Sequence, residues 1–313
     1  MALLACALIN HTAPAEVRQL ESQLRVPAER LRRPNETRKC NFCGMCAGAS
    51  ANELFLADFA NGVLRILDVR TGQLDELDVH RCAAGESLTG VAFSAHTDTL
   101  FVATLGNDTH TVRSFARTNA EWRECHRLDL SANPRHRVSL RALSDGSLVI
   151  GVQWFSFFVS SAVLQMLAVD DSRAMQTRAR IRLPAALFGF DAQLAAGETR
   201  LALALYKPAK AVALFRVVGD RAEELARCPL ECLTRPLFCR DSLLALVSTG
   251  SGWTASHVVQ ELCTEGGRLE SRRVLLSGLK NSSDVCWCVV NDSLLASWGL
   301  EDDTPTLNLY NIR

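Results

Sequence analysis

Apolar residues along this chain fall into short runs separated by turn residues, and the runs recur in a fixed order. Each unit opens on a turn residue followed by a Leu-led, nearly continuous apolar stretch: NELFLADF (52–59), DTLFVATL (98–105), GSLVIGVQ (146–153), TRLALALY (199–206), DSLLALVS (241–248) and DSLLASWG (292–299). A run of that length without polar alternation fits a strand covered on both faces, whereas the alternating runs that follow fit half-buried strands. From Leu54 through Leu100, Leu148, Leu201, Leu243 and Leu294 the steps are 46, 48, 53, 42 and 51 residues.

The fifth unit shows the grammar most clearly. A short strand at 234–239 turns at Arg240-Asp241 into the apolar run 242–247; a Gly/Ser loop follows, then an alternating strand at 257–263 and, past Gly266-Gly267, another at 268–276. Four antiparallel strands repeated at 42–53 residues predict an all-β chain built as a six-bladed β-propeller, with seven blades as the alternative. The sixth unit ends without a fourth strand, and an unpaired edge in a ring is costly, so the N-terminal part of the chain is expected to fill it, with 2–9 as the candidate strand. Val17, Leu20, Leu24 and Leu31 sit at helical spacing interrupted by Pro27, which predicts a short helical extension across the ring. The expected organisation is a closing strand and basic connector over 1–39 and a propeller over 40–313.

The string LFLADFANGVLRILDVRTGQL (54–74) resembles the second and third strands of blades in the broad propeller group that includes WD-repeat, NHL-type and YVTN-type proteins. The resemblance implies the propeller fold. The Gly-His and Trp-Asp pairs that mark WD repeats are absent. Calcium-dependent lactonases are a six-bladed comparison, and none of their metal ligands maps onto this sequence.

With 48% apolar residues there is ample core material, and 34 basic residues balance 34 acidic ones, so no overall field selects nucleic acid or an anionic membrane. Residues 146–169 carry no charge, but Gln153, Ser156, Ser160, Ser161 and Gln165 interrupt them and they lie in frame with the repeat, which predicts a buried hairpin rather than a membrane span. The first ten residues lack the basic start of a secretory signal. Cys286 and Cys288 alternate on one predicted strand, and Cys239 and Cys263 also fall in strand patterns; the twelve cysteines therefore read as free thiols of an intracellular protein, cytoplasmic or nuclear. Five Asn-x-Ser/Thr triplets keep secretion as the alternative.

Candidate chemistry is sparse. Cys40, Cys43 and Cys46 have the spacing of zinc or iron–sulfur ligands but lack a nearby fourth, and their alternative role is as strand residues. Arg30, Arg32, Arg33, Arg38 and Lys39 form a local basic group, a candidate for phosphate or nucleic-acid contact and otherwise a solvated linker. No nucleophile elbow, His-Glu-x-x-His, phosphate loop or EF-hand pattern occurs, so no catalytic residues and no cofactor are expected. Loops that follow the second strand and loops that enter the first open on one face of a propeller. That face collects Phe59, Trp154, Phe155, Phe158, Tyr206, Trp253, Trp298 and Asp302, an aromatic set suited to anchoring a protein or peptide partner. The competing expectation is a lactonase-like hydrolase with a divalent cation in the central channel, lined by Arg141, Asp191, Arg235, Asp284 and Trp287.

Overall fold

Leu54, Phe55, Leu56 and Ala57 are consecutive and fully buried, so the strand that carries them is covered on both faces. Leu54 and Leu56 pack toward one neighbouring sheet, and Phe55 and Ala57 toward the other. This is the arrangement of a propeller blade wedged between two others. The computed structural model describes residues 22–312 except 35, 37, 76–77, 120, 131–132, 134, 155–161, 184–185, 208, 231, 233–234, 249–256, 266, 280–285, 292–293 and 302–303.

The chain is a six-bladed β-propeller. Strand β1 (Ser22–Pro27) and a single 3-10 turn (Ala28–Leu31) precede blade 1, which consists of β2 (Phe42–Ala47), β3 (Glu53–Asp58), β4 (Val63–Asp68) and a split outer strand, β5 (Gln73–Leu74) and β6 (His80–Arg81), both paired to β4. Blade 2 is β7 (Glu86–Ser94), β8 (Thr99–Gly106), β9 (Thr109–Thr118) and β10 (Glu121–Leu130). Blade 3 is β11 (His136–Ala142), β12 (Leu148–Trp154), β13 (Ala162–Val169) and β14 (Met175–Leu183); blade 4 is β15 (Ala186–Ala195), β16 (Glu198–Lys207), β17 (Ala211–Val218) and β18 (Arg221–Cys228). Blade 5 is β19 (Leu237–Cys239), β20 (Ser242–Ser248), β21 (His257–Glu265) and β22 (Arg268–Leu279). Blade 6 combines β23 (Cys286–Asn291), β24 (Leu294–Glu301) and β25 (Thr304–Asn311) with β1 from the other end of the chain.

The inner strands β2, β7, β11, β15, β19 and β23 each touch the next and the last returns to the first, which closes the ring. Six apolar clusters fill the six wedges between neighbouring blades. In the wedge between blades 6 and 1, Phe42 meets Trp298 edge-on at 4.6 Å between ring centroids. The uncharged stretch 146–169 contains β12 and β13, which pair antiparallel with Leu148 opposite Leu167, so the apolar residues of these two strands are committed to the blade interior. No helix among the described residues is long and apolar enough to cross a membrane.

The fourth strand of blade 6 is Ser22–Pro27, antiparallel to β25 with Leu24 opposite Leu309 and Val26 opposite Leu307. The segment 2–9, expected in that position, lies outside the described residues, as do 11–21. Over 22–27 the helical expectation is corrected: Val26 is fully buried while Arg25 is exposed, a period of two that the coincidental spacing of Leu20, Leu24 and Leu31 concealed.

Three inner strands share a local device. In β2, β7 and β15 the register slips one residue before a glycine, at Phe42/Gly44, Leu88/Gly90 and Leu187/Gly189. A bulge bends the strand, and the missing side chain lets the next blade's backbone approach. A Cβ on Gly44 would stand 3.3 Å from Val91 N, one on Gly90 3.4 Å from Val138 O, and one on Gly189 2.9 Å from Arg235 N.

Candidate functional site

The face formed by loops after second strands is best defined at blade 1. Asp58 ends β3 fully buried, and its Oδ1 accepts the backbone N–H groups of Asn41 and Ala60 at 3.1 Å each, while its Oδ2 accepts the Asn61 side-chain amide at 2.8 Å. The Phe59 N–H donates to Asn41 O at 2.8 Å, which ties the loop after the second strand to the loop entering the first. With its backbone held from both sides, Phe59 stays at the surface, 49% exposed. Among the described residues it is the one exposed large aromatic.

The remaining aromatic candidates divide. Trp298 is a correction: at 4% exposure it is committed to the wedge against Phe42 and has no surface left for a partner. Trp154 ends β12 opposite His136, and Tyr206 lies near the end of β16. Phe155, Phe158, Trp253 and Asp302 lie outside the described residues.

At the axis the charged candidates engage one another. Arg141 Nε on blade 3 lies 2.7 Å from Asp191 Oδ1 on blade 4, and Asp191 Oδ2 accepts the Phe238 N–H of blade 5 at 2.8 Å. Burial pushes the Asp191 carboxyl above its ordinary range, opposed by the neighbouring Arg141 guanidinium and by backbone donors. Arg235 donates to the carbonyls of Met45, at 3.2 Å, and Trp287, and accepts the Trp287 indole N–H on its own carbonyl at 3.0 Å. Trp287 itself is 1% exposed and fills the wedge between blades 5 and 6 rather than lining a channel. Asp284 lies outside the described residues.

The three N-terminal cysteines point to different partners. Cys40 is buried, its Sγ donating to Leu31 O at 3.3 Å, and burial followed by the Asp58 charge pushes its thiol up to about 12. Cys43 sits at the β2 bulge, its Sγ within 3.4 Å of Ala57 O and of Leu88 O. Cys46 faces the wedge between blades 1 and 2. No disulfide joins any two of the eleven cysteines among the described residues.

The basic group is partly structural. Arg33 pairs with Asp78 at 2.9 Å and donates to Asp75 O at 3.0 Å; Arg38 donates to Ala60 O at 3.2 Å. Arg30 and Arg32 are exposed and, with Arg33 and Asp75, line a shallow groove of about 380 Å³. Beneath this segment lies Arg65, 1% exposed, which reaches Glu36, Leu31 O and, at 3.6 Å, Asp58. This buried hub pins the connector between β1 and β2 onto blade 1.

One group went unnoticed in the sequence. His80, Cys82 and Glu86, in the passage from blade 1 to blade 2, bring one donor atom each within 4.8 Å of the other two. Burial, then the Arg113 charge, lowers the His80 pKa; burial, then the Glu86 charge, raises the Cys82 thiol to about 11. The signal was a His-x-Cys-x3-Glu spacing between two strands, hidden because no second cysteine or histidine stands near it.

No family model matches the chain, and no curated protein matches it. Solved structures share its fold. A chain of the mitotic checkpoint complex has a TM-score of 0.56 at 12% identity, covering 100% of this chain and 99% of that one. The Cps50 (Swd1) β-propeller domain of Myceliophteria thermophila has a TM-score of 0.52 at 12% identity, covering 90% and 99%. An oxidoreductase (glucose dehydrogenase) of Thermus thermophilus has a TM-score of 0.55 at 14% identity, covering 86% and 96%. At these identities the likeness is one of fold alone.

Proposed function

We propose that this propeller is a non-catalytic, intracellular platform that docks a protein or peptide on the loop face carrying Phe59. The observation that carries the reading is the exposed Phe59 ring on a turn braced by Asp58, because a backbone already ordered before binding loses little further freedom when the ring is buried against a partner. Trp154, Phe155, Phe158, Tyr206, Trp253 and Asp302 belong to the same proposed surface by their places in the repeat. The axial contacts point the same way. Asp191 accepts from Arg141 and from the Phe238 N–H, and Arg235 Nη2 donates to the carbonyls of Met45 and Trp287, so these groups stitch blades together across the axis. One fold neighbour, a chain of the mitotic checkpoint complex, belongs to a protein assembly, which agrees with a docking role, while the oxidoreductase neighbour shows that the fold by itself does not select it.

A photo-crosslinking amino acid placed at Phe59 tests this directly, with one at Val218 as the control. Val218 is equally exposed at 49% but lies at a turn between third and fourth strands, at the other end of a blade. The proposal expects a discrete crosslinked product from position 59 and none from position 218; the reverse pattern overturns it.

A further inference from the structure

His80, Cys82 and Glu86 are three different metal-binding side chains presented by one short segment, half-buried, with one donor atom of each within 4.8 Å of the others. Zinc accepts nitrogen, thiolate sulfur and carboxylate oxygen, and its bonds of roughly 2.0–2.3 Å set tetrahedral donors about 3.3–3.8 Å apart, so a small closure of the present spacing suffices. The backbone beneath the trio is fixed. Val79 N–H donates to Leu64 O at 2.8 Å, Cys82 N–H to Gly62 O at 2.8 Å and Glu86 N–H to Ala83 O at 3.0 Å. Two further contacts orient the side chains: Thr104 Oγ1 donates to Glu86 Oε1 at 2.7 Å, and the His80 ring packs at a tilt against Phe115 with centroids 5.4 Å apart. Supporting contacts of this kind hold metal ligands in place.

Arg113 is the feature that must be accommodated. Its guanidinium lies 2.8 Å from Glu86 Oε1 and 3.5 Å from His80 Nε2, so a positive charge already occupies the edge of the trio. A second carboxylate, Glu124, stands 3.7 Å from Arg113 Nε and can take over the pairing. Charge then balances: Zn²⁺ is neutralised by the Glu86 carboxylate and the Cys82 thiolate, whose proton passes to solvent, and Arg113 keeps Glu124.

We propose that His80, Cys82 and Glu86 form a zinc(II) site with a fourth position left for water. The site stands on its own residues, independent of whether Phe59 docks a partner, although the Cys82–Gly62 bond places it beside the Phe59 turn.

Titration of the full-length reduced protein with zinc chloride, read by native mass spectrometry and calorimetry, tests the proposal. Because other cysteines can take up zinc, the comparison is among variants. The variant with Cys40, Cys43 and Cys46 all changed to Ser is expected to keep one zinc per chain, whereas Cys82→Ser and His80→Ala each weaken that zinc by more than about 100-fold, beyond the usual effect of losing a supporting contact. Cobalt(II) in place of zinc is expected to show a charge-transfer band of one thiolate that Cys82→Ser abolishes. Arg113→Gln is expected to tighten zinc binding, a change that a purely structural ion-pair role for Glu86 would not produce. No zinc bound by the wild type, equal binding by folded Cys82→Ser, or weaker binding by Arg113→Gln overturns the proposal.

Discussion

Arg141 and Asp191, on the inner strands of blades 3 and 4, meet at 2.7 Å beside the axis, and Asp191 passes the link to blade 5 through the Phe238 N–H. The pair is mostly buried, its side chains 11% and 13% exposed. Removing one member of such a pair costs far more than replacing both, because the remaining charge is left desolvated and alone. Arg141→Met is therefore expected to destabilise the ring by about 3 kcal/mol. Adding Asp191→Asn, which keeps an acceptor for Phe238, is expected to recover most of that loss in urea unfolding.

The same carboxyl gives a pH dependence of definite sign. Its pKa is raised in the folded ring, chiefly by burial, so folding binds its proton more tightly than the unfolded chain does. That contribution is complete below the unfolded value of about 3.9 and is lost as pH rises through the folded one. Measured against Asp191→Asn, which cannot titrate, the wild type is expected to lose relative stability as pH increases from about 4. A difference that stays flat or grows with pH contradicts this.

Gly189 tests the tightness of the ring. A Cβ there would meet Arg235 Cβ, Cα and N at 2.7–2.9 Å, and two of those three atoms are backbone that cannot turn aside. Gly189→Ala is expected to cost about 1–3 kcal/mol by overpacking. Gly90→Ala, with 3.4 Å to Val138 O, is expected to cost much less. Thermal unfolding of the two variants side by side checks the order.

Arg65 is the keystone of the connector. It is 1% exposed and holds Glu36 and Leu31 O from the segment that joins the closing strand to blade 1. Arg65→Met strands Glu36 and Asp58 in the interior, with an expected cost of about 3–5 kcal/mol. Hydrogen exchange is expected to show the loss of protection starting in β1 and β2. Uniform loss around the ring contradicts the latch role.

The repeat was legible because the second strand of each blade must be apolar on both faces. Leu54–Ala57 serves two wedges at once, and no other duty competes for those positions. Turn chemistry fixed the hairpins: Gly219 and Gly146 both take positive φ between strands whose register follows directly. The closing strand was sought at 2–9 because β1 is only Ser22–Pro27 and one of its two inward residues, Leu24, also falls in the helical spacing of Val17, Leu20 and Leu31, which hid its pairing with Val26. The site was less legible. Trp298 and Phe59 both follow apolar runs in the sequence, yet one is packed against Phe42 and the other is lifted outward by the Asp58 turn, a difference made by three-dimensional neighbours. The His80, Cys82 and Glu86 grouping depends on the split outer strand of blade 1, which returns the chain to β4 at His80 and leaves Cys82 beside Gly62.

The docking role of the propeller is tested most directly by what the loop face binds. Quantitative affinity capture compares the wild type with Phe59→Ala and with the triple variant Phe59→Ala, Trp154→Ala and Trp253→Ala, each confirmed as folded by its melting temperature. Loss of an exposed anchor is worth about 2 kcal/mol or more of binding, roughly 30-fold, without unfolding the ring. Partners held by the wild type are expected to be depleted by Phe59→Ala and absent from the triple variant; a folded triple variant that retains every partner at the wild-type level contradicts the docking role.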